Sequence, residues 1–335
     1  MPVILFHSSL APMKRITVLV LADPDLPQRS MLDELRDSAH IVIGNSPEAF
    51  KQSAADAEVI FLWSSALSLL REVFLECPRL RWIHSRPVGL DRTLFPELVT
   101  SEVTLTNGRT VFSPSLGEFA LAAILFFAKG FRRLIRNQMA SLWEPFDVAM
   151  VRGQTVGIVG YGDIGRAVAE LVRAVGMHVL ALKRHTAPPP ADDPLAEEIF
   201  PPNGRLEMLG RCDYVVVAAP LNAETRGLIG PTEFAAMKQT AVLINVGRGP
   251  VVQEKAMIDA LTLHKIKGAA LDVFDEEPLP KGHPFYALEN VLLSPHCADH
   301  TRDWHADAMR FFITQFNRFR TGQPLLNVVN KVLGY

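Results

Sequence analysis

The chain has 335 residues, a formal net charge of −2 and a hydrophobic fraction of 48%. At roughly 150 residues per domain, this length predicts about two domains with well-filled apolar cores. The near-neutral charge argues against nucleic acid or a membrane surface as the main partner, and three widely spaced cysteines favour a reducing, cytoplasmic compartment over a disulfide scaffold.

Strand-like and helix-like segments alternate along the first third of the chain. Strands are predicted at residues 15–21, 41–44, 58–63 and 79–85, with a helix near 29–38. This alternation is typical of β-α-β units, in which a parallel sheet is covered by helices.

A second series of elements begins with a long helical pattern over Ser115–Arg136, preceded by the helix-start residues Ser113 and Pro114. Its apolar run Phe119–Ala128 is too short for a bilayer, which needs about 20 residues, and is predicted to be buried. The proline-rich, acidic stretch 187–205 is predicted to be a surface loop. Further strands are predicted at 155–160, 178–182, 214–219, 241–246, 268–273 and 291–296, and a last helix at about 302–321.

The stretch VGIVGYGDIG, residues 156–165, places three glycines between a predicted strand and a predicted helix. In such a loop Gly160 permits a tight turn, Gly162 lets the backbone approach a pyrophosphate, and Gly165 lets helix and strand pack closely. The free N–H groups of the helix N-terminus then favour the phosphate charge. The pattern predicts a dinucleotide site, and a chance glycine turn is the alternative reading.

The end of the next predicted strand carries cations where an NAD-binding fold usually carries an acid. Lys183 and Arg184 stand there, followed by His185. A guanidinium binds a phosphate through two parallel hydrogen bonds, so these residues favour NADP(H). If the cations only face solvent, NAD(H) is the alternative.

Three later stretches follow predicted strands directly: NVGRG (245–249), LDVFDEEPLP (271–280) and SPHCADHT (294–301). Ligands bind at the carboxyl ends of strands in open α/β sheets. We therefore expect Arg248, Glu277 and His296 to converge on one site. Taken singly, each residue has a non-catalytic explanation. Arg248 could bind only the cofactor, Glu277 could be a surface charge, and His296 could be a structural histidine.

With these stretches in view, the chain resembles the D-isomer-specific 2-hydroxyacid dehydrogenase family. Further matches are TNGRTVFSPSLGEFALA, PLNAETRGLIG and PLLNVVNKVLGY, and the resemblance is strongest from Asn107 onward. It implies an α/β fold of two doubly wound, Rossmann-like domains. The implied boundaries are a discontinuous substrate-binding (catalytic) domain at 1–112 and 302–335, and a dinucleotide-binding domain at 113–301.

The resemblance also implies the roles of the three candidate catalytic residues. His296 supplies the proton that reduction of a 2-keto acid requires, because imidazole titrates near neutrality. Glu277 bonds the other ring nitrogen, and Arg248 holds the substrate carboxylate and polarises the carbonyl. No metal is expected, although His296 and His300 have ligand spacing, because no third ligand is evident.

Other positions are carried over from the family pattern. Backbone N–H groups of Val88 and Gly89, in the turn RPVGLD, are expected to bind substrate. Independently of the family pattern, Cys297 is expected to be buried, because it is next to His296 and neighbours in an extended segment point to opposite faces. The stretch HCADH departs from the family pattern and leaves the roles of Asp299 and His300 open. The remaining expected cofactor contacts are Asp163, Ile164, Pro220, Thr225, Val246, Gly247 and Asp272.

The family resemblance implies an NAD(P)-dependent reductase of a small 2-keto acid, with glyoxylate or hydroxypyruvate as the first expectation. A 3-phosphoglycerate dehydrogenase is the alternative enzyme, and a cofactor-sensing, corepressor-like binding protein is the alternative class. Substrate selection is expected in N-terminal loops near Trp63 and Arg86, where Arg86 either touches an anionic substrate or pairs with Asp91. The family is commonly dimeric, and Phe119–Phe127 offers apolar surface for a homodimer.

Overall fold

The computed structural model describes residues 15–64, 66–91, 93–184 and 194–335 and divides the chain into two compact units. Unit 1 combines the described residues up to Gly108 with His305–Tyr335, and unit 2 is Arg109–Trp304. The predicted boundaries after residues 112 and 301 lie close to these divisions.

Unit 1 contains a five-stranded parallel sheet in the order β2-β1-β3-β4-β5. The C-terminal helix Trp304–Arg320 contributes Phe312, whose ring stacks on that of Phe61 with centroids 3.9 Å apart. The strands are β1 (Ile16–Leu21), β2 (Ala39–Gly44), β3 (Ala57–Leu62), β4 (Trp82–Ser85) and β5 (Thr104–Asn107), with helices α1 (Leu67–Leu75) and α2 (Pro96–Thr100). Short 3-10 helices cover Pro27–Leu35, Pro47–Phe50 and Ala54–Asp56.

Several elements of unit 1 differ from the prediction, and helices α1 and α2 were not predicted. The segment expected to be an α-helix near 29–38 is the 3-10 helix Pro27–Leu35, whose buried residues Leu32 and Leu35 are three apart. That spacing matches the three-residue turn of a 3-10 helix. Strand β5 was not predicted, because four residues with two threonines and an asparagine carry no apolar run.

Unit 2 contains a seven-stranded parallel sheet in the order β12-β11-β10-β9-β6-β7-β8. Its strands are β6 (Thr155–Val159), β7 (His178–Leu182), β8 (Glu198–Phe200), β9 (Tyr214–Val217), β10 (Val242–Asn245), β11 (Gly268–Leu271) and β12 (Val291–Leu293). Its helices are α3 (Ser113–Ala128), α4 (Phe131–Met139), α5 (Asp163–Ala174), α6 (Arg205–Arg211), α7 (Pro231–Ala236) and α8 (Glu254–Thr262). Short 3-10 helices cover Pro202–Gly204, Gly249–Val251 and Pro284–Tyr286.

The sheet of unit 2 is buried on both faces. Along β7, Leu180 and Leu182 join one apolar cluster, while Val179 and Ala181 join the other. Such strands read as continuous apolar runs, which is why these segments were recognisable in the sequence. The first strand of the unit, β6, lies centrally, and the chain proceeds outward from it first on one side and then on the other. The loop after β6 therefore lies at the topological switch point, where open α/β sheets bind their ligands.

The predicted single helix 115–136 is two helices, so that prediction was wrong. Gly130 has φ +63°, a left-handed conformation that ends α3 and sets α4 off at 63°. Among the described residues no single helix is long and apolar enough to cross a membrane, and α3 and α4 reach that length and composition only as this bent pair.

The predicted loop 187–205 also needs correction. Residues 185–193 lie outside the described part of the chain, but Glu198–Phe200 form β8, which pairs in parallel with β7 at the sheet edge. The strand has only three residues, too few for a periodic pattern to stand out among prolines and acids.

Candidate active site

The glycine loop is shaped by close backbone approaches on one side and open space on the other. Gly160 has φ +95°, and a Cβ there would lie 2.4 Å from the Ala219 nitrogen. A Cβ on Gly165 would lie 2.5 Å from the Gly160 carbonyl oxygen, whereas a Cβ on Gly162 would meet nothing within 4 Å. The loop is therefore packed where helix and strand meet and open in front of α5. This shape fits a pyrophosphate against the helix N-terminus.

Asp163, the first residue of α5, has its side chain engaged within unit 2. One carboxylate oxygen accepts hydrogen bonds from the Thr110 nitrogen at 3.0 Å and from the Ser113 hydroxyl. The side chain thus ties the start of α3 to the start of α5. Ile164 is half-buried against the apolar core. Both residues are placed to offer backbone N–H groups to a phosphate.

At the end of β7, the two candidate cations have different surroundings. Lys183 is exposed, and its backbone nitrogen donates to the Phe200 carbonyl at 3.0 Å. Arg184 is largely buried, with 23% of its side chain exposed, and forms an ion pair with Glu224. Glu224 was missed in the sequence because it belongs to the loop after a different strand, β9.

The loop after β9 is closed by its own side chains. The Thr225 hydroxyl donates to the Pro220 carbonyl at 2.5 Å and accepts from the Asn222 nitrogen at 2.9 Å. The Asn222 side chain in turn accepts from the nitrogens of Glu224 and Thr225, both at 3.0 Å. This turn holds Pro220 and Thr225, two expected cofactor contacts, in one rigid loop.

The turn that carries Arg248 is stabilised by hydrogen bonds from the side chain of Asn245, the last residue of β10. The fully buried Asn245 side chain accepts from the Gly247 nitrogen at 3.1 Å and donates to the Arg248 carbonyl at 3.1 Å. Val246 is buried, and the Arg248 guanidinium donates to the Gly247 carbonyl at 2.9 Å. Asn245 was not singled out in the sequence, although its place at a strand end was a usable signal.

His296 and Glu277 are hydrogen-bonded to each other. The distance from His296 Nδ1 to Glu277 Oε2 is 2.7 Å, and the second carboxylate oxygen accepts from the Phe274 nitrogen at 2.9 Å. His296 is half-buried and Arg248 likewise, so both can meet a small ligand. Since Arg248, Glu277 and His296 follow the adjacent strands β10, β11 and β12, they lie at one edge of the sheet.

Asp272 holds the segment that carries His296. Its Oδ1 accepts from the Ser294 hydroxyl at 2.5 Å, the Cys297 nitrogen at 2.9 Å and the Ala298 nitrogen at 3.1 Å. Burial raises the pKa of the Asp272 carboxyl above its ordinary value, and these hydrogen bonds act in the opposite direction. Ser294 was another residue missed in the sequence, since its hydrogen-bond partner Asp272 follows the neighbouring strand β11.

The expectation that Cys297 is buried was wrong, because its side chain is exposed. His296 has φ +52°, so the chain turns here and the side-chain alternation of an extended segment does not apply. Beyond it, the His300 ring stacks on Trp304 at 4.1 Å, and its Nε2 lies 3.7 Å from the Asp299 carboxylate.

The expected substrate turn belongs to unit 1, directly after β4. Its backbone is fixed by Asn107, whose side-chain nitrogen donates to the Val88 carbonyl at 2.8 Å. Val88 and Gly89 are half-buried, and neither backbone nitrogen donates a hydrogen bond to any acceptor in the described part of the chain. The turn thus presents two N–H groups that an anionic ligand can use.

Comparison with known proteins gives a consistent result. The family model for the D-isomer specific 2-hydroxyacid dehydrogenase, NAD binding domain, matches residues 121–298. A glyoxylate reductase from Thermococcus gammatolerans is 35% identical over 272 residues, which cover 78% of this chain and 79% of that protein.

Solved structures agree with the sequence comparison. A D-isomer specific 2-hydroxyacid dehydrogenase from Xanthobacter autotrophicus Py2, in complex with NADPH and MES, matches with a TM-score of 0.82 at 27% identity, over 96% of this chain and 100% of that one. An NADPH-dependent glyoxylate/hydroxypyruvate reductase from Sinorhizobium meliloti, in complex with NADP and sulfate, matches with a TM-score of 0.80 at 25% identity, with the same coverage of 96% and 100%.

Proposed function

Because the chain belongs to the D-isomer specific 2-hydroxyacid dehydrogenase family, we propose that it is an NADPH-linked reductase of small 2-keto acids, acting on glyoxylate and hydroxypyruvate. The observation that carries the proposal is the 2.7 Å hydrogen bond between His296, which follows β12, and Glu277, which follows β11. Strand β11 lies next to β10, which precedes Arg248. The names of the similar glyoxylate and glyoxylate/hydroxypyruvate reductases support the substrate class.

His296 is the proton donor in this proposal. Reduction of a 2-keto acid needs a hydride at C2, which the bound nicotinamide supplies, and a proton at the carbonyl oxygen. Glu277 engages Nδ1, so the proton leaves from Nε2 and the neutral ring keeps its Nδ1 proton on the hydrogen bond to Glu277. In the reverse direction, neutral His296 takes the hydroxyl proton at Nε2.

Arg248 is the proposed substrate-binding side chain of unit 2. The Arg248 guanidinium binds the carboxylate and polarises the carbonyl that becomes the hydroxyl. Asn245 fixes the backbone on both sides of Arg248, so the side chain starts from a rigid base. Within unit 1, the N–H groups of Val88 and Gly89 are the other proposed substrate contacts.

The cofactor is held by backbone groups and one guanidinium. The open face at Gly162 and the N-terminus of α5 receive the pyrophosphate. Arg184, which is paired with Glu224, would hold the 2′-phosphate of NADPH, and Lys183 would add positive charge. The NADPH and NADP present in two similar structures support this preference. The remaining contacts are Asp163, Ile164, Gly160, Gly165, Pro220, Thr225, Val246, Gly247 and Asp272.

The decisive experiment follows NADPH and NADH oxidation with glyoxylate, hydroxypyruvate, pyruvate and phosphohydroxypyruvate. We expect turnover with NADPH, and a loss of about 10²- to 10⁴-fold in kcat for His296→Ala, since general acid catalysis typically contributes that much. The matched control is His283→Ala, because that ring also meets a glutamate, Glu254, but lies outside the site. NADPH binding by His296→Ala, measured by fluorescence, shows whether the fold is kept.

The other outcomes separate the alternatives. Turnover of phosphohydroxypyruvate alone would identify a 3-phosphoglycerate dehydrogenase. Tight binding of cofactor with no turnover of any keto acid would favour the cofactor-sensing, corepressor-like protein. A preference for NADH would contradict the assignment of Lys183 and Arg184 to a 2′-phosphate.

The assembly and cellular location of the chain remain predictions. For the homodimer, the predicted surface Phe119–Phe127 lies in α3, where Phe119 and Phe127 pack against the core of unit 2 itself. Large exposed apolar side chains lie instead in α4 and directly after it, and we place the dimer surface on this segment. We therefore expect the variant Ile135→Asp to sediment as a monomer. These side chains are Phe131, Leu134, Ile135, Met139, Leu142 and Trp143.

The cytoplasmic location would be tested by cell fractionation.

A further inference from the structure

Unit 1 contains a cavity of about 270 Å³ between the 3-10 helix Pro27–Leu35 and the edge strand β2. The proposed substrate turn follows β4, and β1 and β3 separate β2 from β4 in the sheet. At about 4.8 Å per strand, this separation is roughly 14 Å. The residues that line the cavity are therefore distinct from those assigned to the proposed reaction.

One part of the cavity lining is apolar. Side chains alternate between the two faces of a strand, so Ile41 and Ile43 share one face of β2, while Val42 lies on the other face and packs against the core. Ile41 and Ile43 line the cavity together with Leu32 of the 3-10 helix. Leu32 is buried, whereas the two isoleucines are half-buried. The apolar part of a ligand can therefore cover the surface that Ile41 and Ile43 still expose to water.

Another part of the lining is cationic. Arg15, Arg29 and Arg36 line the cavity, and Asp33 is the one acid among the described lining residues. Within the described ranges Arg29 forms no ion pair, and the Nε of Arg36 lies 4.0 Å from the Asp37 carboxylate. The side chains of that pair are 77% and 97% exposed, and an ion pair so exposed to water is weak. Arg29 and Arg36 can therefore bind an added anion.

Arg15 is the fixed member of the three arginines. Its Nε and Nη2 donate to the Ala39 carbonyl at 3.1 and 2.7 Å, which holds the guanidinium beside the start of β2. A guanidinium has five N–H donors, so others are left for a further acceptor. Because the side chain is already ordered, it loses less conformational entropy than a mobile one when it binds an anion.

We propose that this cavity binds a small phosphate monoester with a compact apolar body. The phosphate carries a charge of about −1.5 to −2 at pH 7 and matches three arginines opposed by one aspartate better than a monoanion does. The apolar body covers Ile41 and Ile43. The volume is slightly below the roughly 300–1,000 Å³ of sites for drug-sized ligands, so the body is limited to a single small ring or chain. This site does not depend on the proposed reductase function.

The test is calorimetric titration of the full chain with phenyl phosphate, phenol, inorganic phosphate and benzoate. Saturating NADP+ or NAD+, whichever binds more tightly, occupies the proposed cofactor site. We expect the Kd for phenyl phosphate to be at least about tenfold lower than those for phenol and inorganic phosphate, because phenol lacks the charge and inorganic phosphate lacks the apolar body. Benzoate, a monoanion with the same ring, should bind at least about threefold more weakly than phenyl phosphate. A Kd for phenol or benzoate equal to that for phenyl phosphate would overturn the proposal.

Variants assign the binding to the cavity. The double variant Arg29→Gln/Arg36→Gln should raise the Kd for phenyl phosphate at least about tenfold. Asp33→Asn should lower that Kd about threefold, because it removes the opposing charge. The matched control is Arg79→Gln/Arg310→Gln, since these arginines of unit 1 are also exposed but do not line the cavity. An equal rise in Kd in the two double variants would reduce the effect to net charge and overturn the proposal.

Two further outcomes are decisive. Phenyl phosphate binding that disappears when the cofactor is added, and that the arginine variants leave unchanged, would belong to the cofactor site and would contradict the proposal. If keto acids are reduced but phenyl phosphate does not bind, the reductase proposal stands and the second site fails. Should the double variant not fold, the single variants Arg29→Gln and Arg36→Gln, each with an expected rise in Kd of about threefold, and Asp33→Asn still decide the question.

Discussion

At the scale of single residues, the site depends on side chains whose partners are distant in sequence. Arg184 pairs with Glu224 from another loop, and Asp272 reaches the nitrogen of Cys297, 25 residues away. Because Glu224 neutralises the guanidinium that we assign to the 2′-phosphate, the two anions compete for Arg184. Glu224 therefore weakens the preference that Arg184 creates.

Replacing Glu224 tests this competition. In Glu224→Gln we expect the Kd for NADPH to fall about 3- to 10-fold, since the phosphate no longer displaces a carboxylate. The Kd for NADH should change less than twofold, because NADH has no 2′-phosphate. Fluorescence titration of both cofactors gives the values, and Glu207→Gln, another partly exposed ion-pair partner of unit 2, is the control. An equal shift for both cofactors would show that Glu224 acts on the loop and not on the phosphate.

At the scale of elements, the loop between β6 and α5 separates stability from binding. Gly160 needs a left-handed backbone and tolerates no Cβ beside Ala219, whereas Gly162 faces open space. The same residue type thus serves the fold at one position and the ligand at another. This distinction follows from the distances and not from the G-x-G-x-x-G pattern itself.

Two alanine variants make the distinction measurable. Gly160→Ala should lower the free energy of unfolding by about 2–4 kcal/mol, from backbone strain and overlap. Gly162→Ala should change it by less than about 1 kcal/mol, because its φ is negative and no atom lies near. The latter should instead raise the Kd for NADPH at least about tenfold, since the pyrophosphate needs close backbone approach. Urea unfolding measures the free energies of unfolding, and titration measures the Kd for NADPH. A stable Gly162→Ala variant that binds NADPH as tightly as the wild type would refute the assignment of Gly162 to the pyrophosphate.

At the scale of the whole molecule, each unit has its own sheet and its own core. The core of unit 1 contains a histidine, His84, that is 1% exposed. Its Nδ1 lies 2.8 Å from the Thr106 hydroxyl, which also accepts a hydrogen bond from the Trp82 indole at 2.9 Å. Burial lowers the pKa of His84 from 6.5 to about 3.

This shift predicts acid sensitivity. Between pH 6.5 and about 3 the unfolded chain binds a proton at His84 that the folded chain does not. The free energy of unfolding therefore loses nothing to this group above pH 6.5 and decreases as the pH falls below it. The slope from this group is at most about 1.4 kcal/mol per pH unit. In His84→Gln the free energy of unfolding between pH 7 and pH 5 should fall less steeply, even if the variant is less stable throughout. Parallel pH profiles for the two proteins would contradict the prediction.

Three features could be read from the amino-acid sequence: the alternation of strands and helices, the glycine loop and the family that the motifs resemble. These features are readable because periodicity, turn chemistry and motif spacing act over a few residues. The break at Gly130 was also local, but one glycine in a strong helical pattern gave too weak a signal.

The contacts between side chains that are distant in sequence could not be read in this way. Strand order places the ends of β10, β11 and β12 together, and it brings Arg86 against Trp63, 23 residues earlier. The exposure of Cys297 and the ion pair of Arg184 with Glu224 are also visible only in the folded structure, because no spacing rule predicts them. The physical reason is that such contacts depend on how strands pair and cores pack across the chain, and local propensity carries no information about that pairing.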